Sequence, residues 1–124
     1  WILIAAALSA VSRERGALLV HVSRADSCGA DRALPIREQY PLQATGVHGV
    51  TLLQGEAAIL RSGCRYLLVR SAWLYQGRDS RLFRDWTLRG GKQLVPMDQL
   101  GAPTRADDLA RAVLRLLELG RTGH

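Results

Sequence analysis

The sequence predicts an α/β fold, a parallel β-sheet with flanking helices. Three observations support this. Short, nearly continuous apolar runs recur at 1–7 (WILIAAA), 17–23 (ALLVHVS) and 65–71 (RYLLVRS), the pattern of strands buried on both faces. Helical periodicity occupies 47–62 and 105–119. A loop rich in turn residues, 24–45, follows the second run. Strands alternating with helices favour a parallel sheet with crossover connections.

Taken in order, the run 1–7 reads as a first buried strand. Only residues 8–16 separate it from the next strand, 17–23, whereas a parallel crossover needs a dozen residues or more. The connection is therefore either compressed or short of residues between Val11 and Arg15. Residues 24–45 contain Gly29, Pro35 and Pro41 without periodicity. They form a long loop at a strand's carboxyl end, the place where open α/β sheets bind ligands. In the 47–62 helix, Val50, Leu53, Ala57 and Leu60 form one stripe, and Gly63 stands at the C-terminal cap. The strand 65–71 follows. Residues 90–104 hold a short extended run at 93–96 between glycines and prolines. Thr104 is placed to cap the last helix, with Asp107 three residues on. Leu109, Val113, Leu116 and Leu117 make its apolar stripe, and Gly120 stops it.

Composition bounds the function classes. The chain has 124 residues, 48% hydrophobic and 23% charged, which suits one globular domain. The first ten residues are apolar but too short to span a bilayer and have no basic flank, so neither a membrane helix nor a signal peptide is expected. The sequence opens on Trp1, which reads as a start inside a longer chain. Cys28 and Cys64 fit no metal-ligand spacing and are read as reduced thiols of a cytoplasmic protein, with no metal site. The net charge of +6 comes from 16 arginines and one lysine, Lys92. The arginines are spread along the chain, which favours a solvated surface, then a phosphate-bearing ligand, and only third nucleic acid.

Several segments in order, GALLVHVS, LPIREQYPLQATGVHG, GCRYLLVRSAWLY and DQLGAPTRADDLA, resemble the dTDP-4-dehydrorhamnose reductase (RmlD-like) family of the extended short-chain dehydrogenase/reductases. The resemblance implies a Rossmann-like sheet with a small C-terminal substrate-side part. Residues 1–124 would be a single incomplete dinucleotide-binding domain, lacking the first βαβ unit. It further implies an NADP or NAD cofactor and a nucleotide-sugar ligand, as in dTDP-rhamnose biosynthesis. Ala5, Ala6 and Ala7 would lie on a strand and turn near the cofactor, with Ser23 also on the cofactor side. Trp73, Gln99 and Pro103 would face the sugar. Glu56 matches the family's Gly-Glu and is read as structural, paired to an arginine.

The departures from the family are as informative. The glycine-rich turn that seats pyrophosphate at a helix N-terminus does not occur in this sequence. The family's Ser-Thr-Asp-Tyr is SRAD here: Ser23 is kept, Arg24 replaces the catalytic hydroxyl residue and Asp26 the tyrosine. The family's Tyr-x-x-x-Lys becomes His48 and Leu52. That chemistry needs a hydroxyl to protonate the carbonyl oxygen and a cation four residues on, on the same helix face. No register restores it, because Tyr40, Tyr66 and Tyr75 are followed at that spacing by Ala44, Arg70 and Asp79. Losing a general acid costs about 10² to 10⁴ in rate. Ser23 and His48 remain the candidate catalytic groups, since imidazole titrates near neutrality.

The leading expectation is a reductase scaffold with impaired or no catalysis. The alternatives are a non-catalytic binding or regulatory subunit on the same fold and, last, a basic nucleic-acid-binding module. A homodimer or protein partner would cover the sheet edge left open.

Overall fold

The structure, a computed structural model, describes residues 1–25, 37–38, 41–44, 46–77 and 102–123. Its elements are α1 (Ile2–Glu14), β1 (Leu18–Arg24), α2 (Val47–Arg61), β2 (Arg65–Ser71), β3 (Leu74–Tyr75), β4 (Thr104–Arg105) and α3 (Ala106–Glu118). β1 and β2 pair in parallel from Leu18↔Arg65 to Arg24↔Ser71, with α2 as the crossover between them. β3 and β4 form a second, shorter parallel pair. Gly123 adds a parallel bridge beside Leu67, where Gly123 N donates to the Tyr66 carbonyl and Leu68 N donates to the Gly123 carbonyl, both at 2.8 Å.

The first apolar run is a helix and not a strand. Ile2–Glu14 is continuous α-helix, closed by Gly16 at φ +62°. A short apolar run fits a buried strand and a buried helix equally well. Three consecutive alanines, the strongest helix formers, decide it here. The supposed short crossover through 8–16 disappears with that strand, since those residues belong to α1 and the turn after it.

α1 packs chiefly on α2, and the contact is made by small groups. Ala5 is buried, and a Cβ built on Gly55 would stand 3.7 Å from the Ala5 Cβ. Ser9 is buried and satisfies its hydroxyl on the Ala6 carbonyl at 2.9 Å. Among the described residues a core cluster is formed by Ala5, Ile59 and Cys64, with Leu19 and Tyr66 against it; Leu67 and Leu68 of β2 are buried as well. Leu19 and Tyr66 are cross-strand partners, so this core lies on the sheet face that α1 and α2 cover. Ile59 is fully buried, worth about 1.5–3 kcal/mol in transfer energy. Cys64 is a buried free thiol; Cys28 lies outside the described residues.

The α2 stripe expected from the sequence is not the buried one. Val50 and Leu60 are exposed, Leu53 and Ala57 are half-buried, and the buried face is Gly49, Gly55, Glu56 and Ile59. Close helix packing and a buried ion pair displaced the larger apolar side chains. Gly63, at φ +73°, ends α2 as expected, and Gly120, at φ +65°, ends α3. The α3 stripe of Leu109, Val113, Leu116 and Leu117 is half-buried. Thr104 does not cap α3: it is strand, its amide donates to the Trp73 carbonyl at 2.9 Å, and Arg105 occupies the cap position without a side-chain bond. Asp107 instead pairs with Arg105 at 3.1 Å. No helix among the described residues is long and apolar enough to cross a membrane.

Candidate functional site

β1 and β2 stop together at Arg24 and Ser71, and beyond their carboxyl ends lies a cleft of about 440 Å³. Val22, Ser23, Arg24, Ser71, Ala72, Trp73 and Leu74 line it. This is where parallel sheets present ligands to loops. Its wall is mostly apolar, with two hydroxyls, one guanidinium and one indole. Trp73 is half-buried in this wall and is held by the bond its carbonyl accepts from Thr104.

Beneath the cleft sits a buried polar cluster. Ser23 and Arg70 are cross-strand partners, so both project toward α2. Glu56 meets them there, with 1% of its surface exposed. The Ser23 hydroxyl donates to Glu56 Oε1. Arg70 donates to the same carboxylate through Nε, at 3.3 Å to Oε1 and 3.1 Å to Oε2, and through Nη2, at 2.8 Å to Oε2. A buried carboxylate needs such a set of donors. The pairing of Glu56 with an arginine, expected from sequence, is present, and the partner is Arg70.

This cluster fixes the rotation of α2. Counting back from Glu56 in steps of four gives Leu52 and then His48, along one side of the helix. His48 is exposed in the first turn and Leu52 is half-buried one turn later. Neither lines the cleft. The structure therefore brings Ser23 and Trp73 together and leaves His48 outside the cleft wall. Pro103 is exposed and also outside that wall; Gln99 and Asp26 lie outside the described residues.

The strand end that supported a cofactor role for Ala5, Ala6 and Ala7 is absent. They belong to α1, Ala5 buried against α2 and Ala6 and Ala7 exposed. Sequence reasoning missed Ser71 and did not place Arg24 in a cleft. The signal was available in the parallel register, because two strands of equal length ending together put their last residues side by side. Among the described residues no group of three or more His, Cys, Asp or Glu could hold a metal ion.

The family model described as "RmlD substrate binding domain" matches residues 3–122. The dTDP-4-dehydrorhamnose reductase of Mycolicibacterium smegmatis is 34% identical over 107 residues, covering 82% of this chain and 33% of the relative. A solved dTDP-4-dehydrorhamnose reductase from Clostridium acetobutylicum superposes with a TM-score of 0.83 at 30% identity, over 96% of this chain and 43% of that one. Another, from Bacillus anthracis in complex with NADP, gives 0.81 at 26% identity, over 98% of this chain and 44% of that one. The chain thus spans about a third of the length of that curated relative. Its sheet and helices are those of Rossmann-like reductases, and it belongs to the family of the RmlD substrate-binding domain.

Proposed function

We propose that this chain is a dTDP-4-dehydrorhamnose reductase-like scaffold, one domain over 1–124, that holds a nucleotide-sugar ligand and does not turn it over. One observation carries the reading: Glu56, locked to Ser23 and Arg70, sets the register of α2, and at that register the two preceding i−4 positions are Leu52 and His48. The family's proton donor and ribose anchor would stand there. The reading is supported by the cleft at the strand ends, by the likeness to reductases and by Trp73 in the cleft wall.

NADP is the cofactor of the solved Bacillus anthracis relative, and a nicotinamide dinucleotide is the class of cofactor the cleft addresses. The α2 residues do not fit its ribose. Leu52, at the position of the family's ribose anchor, carries no hydrogen-bonding group.

A second reading, a non-catalytic subunit of a larger assembly, draws on α1. Trp1, Leu3, Ile4, Leu8 and Val11 are all more than half exposed, a larger apolar display than isolated surface leucines. A protein partner or a second copy would cover it, and sedimentation across a concentration series tests for self-association.

The deciding experiment titrates the protein with NADPH and NADH by tryptophan fluorescence and then adds dTDP-4-dehydrorhamnose. The expected outcome is ligand-dependent quenching without oxidation of the reduced cofactor above background. Rapid oxidation would overturn the proposal; no response to any ligand would favour the subunit reading.

A further inference from the structure

We infer that α1 is a self-association surface: its outward face is apolar, uncharged and the same read from either end, and it fits that face of a second, antiparallel copy of this chain. This rests on the subunit reading above, which it narrows to one partner, and it makes no use of the cleft.

The face follows from how α1 packs. Ala5 and Ser9 are buried and Ser12 is half-buried, so these three mark the inward side. At 3.6 residues per turn the opposite direction passes through Ala7, with Leu3 and Ala10 to one side of it and Ile4 and Val11 to the other. All five are exposed, Leu3 by 84%, Ile4 by 56% and Val11 by 53%. Leu8, also exposed, borders them. A helix whose outer side meets water carries its charges there, yet residues 1–12 hold no charged side chain. The first is Arg13, in the last turn. The same lack of Lys and Arg sets α1 apart from helices that lie in a membrane surface.

The spacing says what covers it. Positions 3, 4, 7, 10 and 11 are symmetric about 7. A two-fold axis beside Ala7 therefore sets Ala7 against its own equivalent, Leu3 against Ala10 of the other copy and Ile4 against Val11 of the other copy. That reciprocity is what an isologous interface requires. Each unlike pair sets a larger side chain against a smaller one, and the alanines let the two helices approach closely. Charge points the same way, because a chain of net charge +6 repels its own copy wherever its charges meet. With Leu8 and Trp1, the face shows apolar surface on the order of 500 Å² per copy. Two copies would cover about 1,000 Å², the lower limit for a specific interface. A dissociation constant on the order of 10–100 µM is expected.

Sedimentation velocity of the full chain, over about 1–300 µM, tests this. A shift from monomer to dimer is expected, and salt should tighten the dimer by screening the repulsion between like-charged bodies. Ala7→Glu sets two carboxylates across the axis and should weaken the dimer at least about tenfold. Its Tm at low concentration should not change, since Ala7 is exposed. A monomer throughout the series overturns the inference and leaves the subunit reading to a different partner. A dimer that salt dissolves, or that Ala7→Glu leaves unchanged, overturns it as well. Cross-linking then tests the register, in a Cys28→Ser background with the buried Cys64 left in place. Under mild oxidation Ala7→Cys should link two copies, because the axis brings the paired positions within disulfide reach. Ala6→Cys, exposed but on the flank of α1, should not. If Ala7→Cys links no faster than Ala6→Cys, the antiparallel pairing is wrong and the inference falls.

Discussion

Replacing Arg70 with alanine should destabilise the protein more than neutralising its partner does. The Glu56 side chain is 2% exposed and that of Arg70 is 16% exposed. Arg70→Ala deletes three charge-assisted contacts and leaves a carboxylate in the interior facing the Ser23 hydroxyl. Breaking a buried pair from one side costs about 3–5 kcal/mol. Water can enter beside the truncated side chain, because Arg70 is partly solvated, so the low end applies, about 3 kcal/mol. Glu56→Gln leaves an arginine that can turn toward water and keeps the neutral hydrogen bonds, for a cost of about 1–2 kcal/mol. For a chain of this length about 3 kcal/mol corresponds to a drop in Tm of roughly 10–15 °C. Urea unfolding followed by circular dichroism measures both variants on one scale, provided the slopes agree. If Arg70→Ala loses less than Glu56→Gln, or less than about 1 kcal/mol, then the carboxylate is not dependent on that fork and the account of the cluster is wrong.

Three further outcomes follow from the packing. Ile59→Ala, at a side chain with no exposed surface, should cost about 2–5 kcal/mol in urea unfolding; a smaller loss would mean that α1 and α2 close over the gap. Gly55→Ala should raise stability by up to about 1 kcal/mol through helix propensity, because the new methyl would meet the Ala5 Cβ at an ordinary 3.7 Å; a lowered Tm would show that the two helices sit closer than this contact allows. Gly63→Ala should cost about 1 kcal/mol, because φ is +73° while the nearest atom, Arg13 Cδ, is 3.8 Å away, so the strain is in the backbone and not in crowding. A neutral Gly63→Ala in the same unfolding assay would mean that the end of α2 relaxes.

Much of this arrangement is legible in the residues, and the exceptions have physical causes. The strands at 17–23 and 65–71 stand out as apolar runs, and their observed bounds, Leu18–Arg24 and Arg65–Ser71, differ by a residue at most; the expected burial on both faces does not hold for β1, where Val22 is exposed. Gly63 and Gly120 mark helix ends because few other residues adopt a left-handed backbone cheaply. The run 1–7 misleads because apolar content alone does not set a period. On α2 the usual rule holds for Ile59 alone among the buried positions: Val50 and Leu60 face out while Gly49, Gly55 and Glu56 face in, and a hydrophobicity pattern does not anticipate two glycines and a glutamate on a buried face. Thr104 has the chemistry of a cap, but pairing with β3 takes its backbone into a strand. The cleft itself needed the parallel register, a relation between segments more than forty residues apart in the chain.

The tail at Gly123 has a consequence for handling the protein. It occupies the side of β2 that β1 does not, engaging the Tyr66 carbonyl and the Leu68 amide. A version cut after α3 would bare those groups as a short, ready template on which another chain's strand could register. Shortening should therefore show up first as a loss of monodispersity on storage, before any loss of helix.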